Sequence, residues 1–156
     1  MKTTLAISLV LFLELATAAQ IPRTKAALTA LQNANPAVDW NIDSAKTADF
    51  DCDGKADTVM LGYQKDRVVV GVVWASPRRP PQILSFPIGV PTQDGFSSPP
   101  KLLNIQPLDC TTNDGRPLPG CRATPDCKAF SIPDDDGDPF NFYWDSSRSR
   151  VAWWRM

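Results

Sequence analysis

The chain has no histidine and a single glutamate, Glu14, so every acidic side chain beyond the first 18 residues is an aspartate. Without histidine, the commonest general base and the commonest transition-metal ligand are both missing. Aspartate is the short carboxylate of turns and of hard-cation loops. An excess of either charge is lacking too: 16 Lys and Arg stand against 17 Asp and Glu, a net charge of −1. The cations gather only at Arg78-Arg79 and at Arg148 and Arg150. No phosphate-tracking surface is expected, and nucleic acid is not an expected partner. There is no G-x-S-x-G, no H-E-x-x-H and no glycine-rich phosphate cradle, so no motif positions a nucleophile or a catalytic metal.

Long apolar runs are also absent. The run Leu5–Leu13 falls short of the roughly 20 residues that span a bilayer, and Glu14 interrupts it. With Lys2 before it and the small residues Ala16 and Ala18 after it, this stretch reads as a cleavable secretory signal over residues 1–18. Residues 19–156 are then expected to form one domain, periplasmic or secreted, without membrane insertion after cleavage.

Four cysteines are present, Cys52, Cys110, Cys121 and Cys127. An even count in a small exported domain predicts two disulfides, with three pairings open. A zinc site is disfavoured because no C-x2-C pair and no histidine can complete a tetrahedron.

Helix formers with apolar residues at Ala27, Leu28 and Leu31 predict a helix over Thr24–Asn33, stopped by Asn35-Pro36 and packed over a sheet edge. Alternation at Val38, Trp40 and Ile42 predicts a short extended segment. Runs of β-branched and aromatic residues predict strands at Thr58–Tyr63, Val68–Ala75, Ile83–Ile88, Leu102–Leu108, Lys128–Ile132, Phe140–Trp144 and Val151–Arg155. The first two should form a hairpin and the last three a meander. Pro-rich stretches at 76–82 and 89–100 and the turn-rich segment 109–125 are loops. The fold class is therefore α+β or mainly β: an antiparallel sheet of about seven short strands with one N-terminal helix, stapled by disulfides.

The sharpest motif is DFDCDGKAD, with Asp49, Asp51, Asp53 and Asp57 at loop positions 1, 3, 5 and 9 and Gly54 at position 6. Calcium requires six to eight oxygens converging from a curled backbone. Alternate side chains and a glycine at the sharpest bend supply that curl, with the Lys55 carbonyl at position 7 as a further ligand. Met60 stands where an EF-hand has its bidentate glutamate, and a strand-like run follows, so an EF-hand is excluded. The segment TADFDCDGKADTVML instead resembles the calcium loop of FG-GAP and VCBS repeats, with Cys52 in place of the usual first glycine. The resemblance implies calcium as the cofactor and covers about 15 residues, one repeat, where a propeller needs several blades. The chain also resembles exported bacterial proteins of no assigned activity that carry one such loop and end in an aromatic strand, here FYWDSSRSRVAWWR.

A second acidic cluster, Asp134, Asp135, Asp136 and Asp138, offers Asp134, Asp136 and Asp138 as alternate ligands, or else forms a plain polar turn. Trp153 and Trp154 are adjacent in a presumed strand and must face opposite ways. One of the two is expected to be exposed, where it could meet a glycan or protein partner, or else to cover the second sheet face against the helix. Two function classes stand: a non-catalytic calcium-binding module with a protein or glycan partner, and a small secreted hydrolase using paired Asp carboxylates.

Overall fold

A computed structural model describes residues 22–89 and 94–156; the signal segment 1–18 lies outside the described residues. Helix α1 covers residues 22–34. Eight strands follow: β1 Asp39–Ala48, β2 Asp57–Gln64, β3 Arg67–Val73, β4 Gln82–Pro87, β5 Asn104–Pro107, β6 Lys128–Asp134, β7 Gly137–Asp145 and β8 Arg150–Trp154. They form two four-stranded antiparallel meanders, β1-β2-β3-β4 and β5-β6-β7-β8. Among the described residues, no helix is long and apolar enough to cross a membrane.

Strict alternation along the strands builds the layers, because successive side chains point to opposite faces of a sheet. Val59 and Leu61 of β2 and Val68, Val70 and Val72 of β3 meet Phe130, Ile132, Phe140, Phe142 and Trp144 of the other sheet in one core. The intervening Met60 and Val69 point outward and are covered by Leu31 of α1 with Trp40 and Val38. On the second sheet, Ala129 and Tyr143 point outward and are covered by Leu108 and by Leu118 of the loop closed by Cys110–Cys121. The order of layers is helix, sheet, sheet, stapled loop. Gly62 and Gly71 are needed where the helix layer comes down, because a Cβ at either would overlap Val38 and Trp40, or Leu31 and Trp40.

Several expectations are corrected. Among the described residues there are eight strands instead of about seven, because the short segment at Val38–Ile42 continues as the ten-residue β1. A bulge shifts its register between Asn41 and Lys46, and the Ser44 hydroxyl accepts the Leu61 amide inside it, which turns Ile42 out to solvent. The helix lies on a sheet face and not over an edge. The strand expected over Leu102–Leu108 shrinks to Asn104–Pro107, as an edge strand ending at a proline. Neither tryptophan of the final strand is exposed: Trp153 packs into the inter-sheet core and Trp154 against the stapled loop, so the two faces are both covered. The helix takes no part there, since it covers the other sheet.

Candidate metal site

The loop between β1 and β2 carries the candidate site. Its hairpin is closed by Ala48 pairing with Asp57, and it curls through two residues of positive φ, Cys52 at 63° and Gly54 at 81°. Gly54 adopts that region freely; Cys52 is held there by its covalent bond to Cys127. The Lys128 amide also donates to the Asp49 carbonyl at 2.8 Å. The acidic loop of the first sheet is thus fastened to the first residues of β6 in the second.

The carboxylates of Asp49, Asp51 and Asp57 converge: each offers an oxygen within 4.8 Å of the others. Oxygens on a calcium sphere of 2.3–2.6 Å radius lie at most about 5 Å apart, so that span suits a hard cation. The backbone holds two of the three in place. Asp49 accepts the amides of Asp53 and Gly54, and Asp57 accepts those of Phe50 and Ala75. Both leave lone pairs for a cation, because a carboxylate has about four acceptor sites. Asp51 is different: Oδ2 takes the Arg79 guanidinium at 2.9 Å, while Oδ1 is buried with no hydrogen-bond partner among the described residues. An oxygen in that condition costs about 1–3 kcal/mol or more for a charged group. A cation ligand would satisfy it.

Asp53 turns elsewhere, accepting the amide of Lys55 at 2.8 Å and its ammonium at 3.3 Å. Of the five residues singled out in sequence, the structure gathers Asp49, Asp51 and Asp57 and leaves the Asp53 carboxylate on the exposed side, against the Lys55 side chain.

Electrostatics reflect the crowding. Burial pushes the Asp57 carboxyl up to about 6, against the pull of its two amide donors. Burial, then the neighbouring Asp53 charge, raises Asp51, with Arg79 and the nearby Asp53 amide opposing; that amide's hydrogen bond goes to Asp49. Arg79 was not among the site residues expected; the one signal was the Arg78-Arg79 pair in a Pro-rich loop, which carries no range information. Its guanidinium lies 3.5 Å from the Trp74 ring centroid and 4.6 Å from that of Trp144, and it donates to the Ser149 carbonyl. It closes the end of the sandwich between tryptophans of opposite sheets.

The second acidic cluster is a turn with its own counter-charges. Asp134 accepts the Ser97 amide and hydroxyl and pairs with Arg155 at 2.6 Å, with side chains 1% and 9% exposed. Asp135 accepts the Ser98 hydroxyl. Asp134 is therefore occupied, and Asp134, Asp136 and Asp138 do not converge as ligands; among the described residues, the only three-acid group of that kind is the first.

Both disulfides are present, as Cys52–Cys127 and Cys110–Cys121, and no cysteine is free. Comparison with protein-family models, curated proteins and solved structures finds none that matches the chain.

Proposed function

We propose that the Asp49–Asp57 loop holds a calcium ion and that the protein is an exported, non-catalytic module whose binding surface is organised by that ion, with a protein or glycan as partner. The observation that carries this reading is the buried, partnerless Oδ1 of Asp51 beside two converging carboxylates. Three close carboxylates repel one another unless a cation or protons neutralise them, and the single Arg79 guanidinium reaches only Asp51. All-oxygen donors without sulfur or imidazole select calcium or magnesium over softer metals. Magnesium demands near-ideal octahedral geometry and keeps its water, so the larger ion is favoured.

Asp49, Asp51 and Asp57 would supply side-chain oxygens to the ion; the loop spacing and its FG-GAP and VCBS resemblance imply the Lys55 carbonyl and Asp53 as further ligands, for which the Asp53 carboxylate would have to turn from Lys55. The two disulfides fit an oxidising compartment, periplasmic or extracellular. Equilibrium dialysis against labelled calcium tests the reading. One ion per chain with a dissociation constant of about 0.1–1 mM, as in extracellular modules, is expected. The variant carrying Asp51→Asn and Asp53→Asn should bind none. Equal retention by wild type and variant would remove the proposal.

A further inference from the structure

A groove of about 910 Å³ runs beside the acidic loop, bounded by α1, by Gly54–Ala56 and by the Pro-rich segment that follows β3. Its apolar wall is made by Val73, Trp74 and three prolines, Pro77, Pro80 and Pro81; on α1, Ala26, Ala27 and Ala30 leave the space open because they carry only a methyl group. Its charged residues are Arg23, Lys55 and Arg79, and no aspartate lines it. The lining is cationic while its backing is acidic: Lys55 faces Asp53 at 3.3 Å and Arg79 faces Asp51 at 2.9 Å behind the wall, and Arg23 stands apart from them on α1. The groove's volume lies in the range of small-molecule sites, about 300–1,000 Å³, and an apolar lining with a few converging polar groups is how such sites fix orientation.

We infer that this groove binds a small organic anion, a carboxylate carried on an apolar ring or chain. The apolar body lies along the prolines, and the carboxylate meets the exposed Arg23 and draws the Lys55 ammonium from Asp53, which it faces at 3.3 Å. Arg79 is already engaged with Asp51 and Ser149, so it contributes field more than a free hydrogen-bonding fork. That engagement couples the groove to the acidic loop. Gly54 and Lys55 belong to both, and without a bound cation the carboxylates of Asp49, Asp51 and Asp57 stand behind the cationic wall and offset it. A divalent ion there removes the offset, so calcium should tighten anion binding, and by linkage the anion should tighten calcium. This coupling rests on the calcium reading proposed above; the groove itself does not.

The probe is 4-phenylbutyrate, with the neutral 4-phenylbutanamide as its uncharged counterpart, titrated calorimetrically into the disulfide-bonded protein in chelator and in about 1 mM calcium, an extracellular-range concentration. Two variants accompany wild type: Ala26→Phe, which fills the groove from an exposed helix position, and the pair Arg23→Gln with Lys55→Gln, which removes two exposed cations. Thermal melts confirm that each is folded. The carboxylate should bind one per chain and the amide about tenfold more weakly; the double variant should lose about tenfold and Ala26→Phe should lose binding, with calcium strengthening wild type by about threefold. Equal binding of acid and amide, an unaffected Ala26→Phe, or no binding of the acid overturns the groove. Calcium that raises the melting temperature without changing anion affinity overturns the coupling alone. Anion binding with the expected variant pattern in a protein that does not respond to calcium supports the groove and removes the metal reading.

Discussion

The two aspartate-rich turns look alike in sequence and are opposites in structure. At Asp134 a guanidinium, a hydroxyl and an amide arrive from elsewhere in the fold to meet the carboxylate. In the Asp49–Asp57 loop three carboxylates arrive at one another, and one buried oxygen has no hydrogen-bond partner among the described residues. The first turn uses charge to fasten the 94–98 segment to the β6–β7 hairpin. The second stores repulsion where a cation would relieve it. Local density of acids does not separate these cases; the source of the counter-charge does.

The largest effect should come from cutting what holds the acidic loop to the second sheet. Replacing Cys52 and Cys127 by alanine opens a link across 75 residues, which chain-entropy arguments value at about 4.5 kcal/mol, whereas the Cys110–Cys121 link across 11 residues is worth about 3 kcal/mol. Chemical denaturation of the two double variants should show that order, and only the first should also weaken calcium retention. A larger loss at Cys110–Cys121 would contradict the assigned role of the longer link.

Breaking the Asp134–Arg155 pair comes next. Arg155→Ala leaves a buried carboxylate without its cation, at a cost of about 3 kcal/mol. Asp51→Asn with Asp53→Asn should cost little in the absence of calcium, because it relieves repulsion as it removes carboxylates. Denaturant midpoints decide between them, and equal losses would erase the distinction.

The same contrast predicts opposite responses to pH. Asp57 is pushed up to about 6, by burial first. Its folded state therefore holds a proton more firmly than the unfolded chain, whose carboxyl sits near 3.8. Its contribution to stability is largest below pH 4 and is lost, about 3 kcal/mol in all, as pH rises through 6 in chelator. Asp134 runs the other way: burial lifts its carboxyl, but the Ser97 hydroxyl and amide and the Arg155 charge outweigh that and hold it below the ordinary value. Its contribution is present above pH 4 and lost on further acidification. Chelator melts of Arg155→Ala against wild type between pH 3 and 7 should isolate the Asp134 component at the acid end. Calcium should reverse the Asp57 component, so the calcium-induced rise in melting temperature should be larger at pH 7 than at pH 5; a rise independent of pH would argue against Asp57 as a ligand.

Much of this was legible in the residues. Runs of β-branched and aromatic residues located seven of the eight strands, the β2–β3 hairpin and the β6–β7–β8 meander, because strands covered on both faces read as near-continuous apolar runs. Ile42 misled because a bulge, set by the Ser44 hydroxyl, breaks the alternation in a way composition does not signal. The doubled tryptophans misled for a different reason. Adjacency correctly places Trp153 and Trp154 on opposite faces, but the cover for the outer face is the 109–125 loop, whose packing depends on a disulfide pairing that spacing leaves open. Within the site, the Asp spacing located the cluster, while Arg79 and Cys127 reach it from about 28 and 75 residues away. Contacts of that range are set by tertiary structure, as is the Arg155 that takes Asp134 out of contention.

Thermal melts of wild type and of the Asp51→Asn, Asp53→Asn variant, each in chelator and in calcium, test the central claim most directly. At about 1 mM calcium and a dissociation constant of about 0.1 mM, linkage stabilises wild type by roughly 1.4 kcal/mol, a rise of a few degrees for a domain of this size. Magnesium at the same concentration should do much less, and the variant should not respond to either ion. Wild type melting at the same temperature in chelator and in calcium would contradict the account and leave Asp49, Asp51 and Asp57 as an acidic turn held by Arg79 and its own backbone.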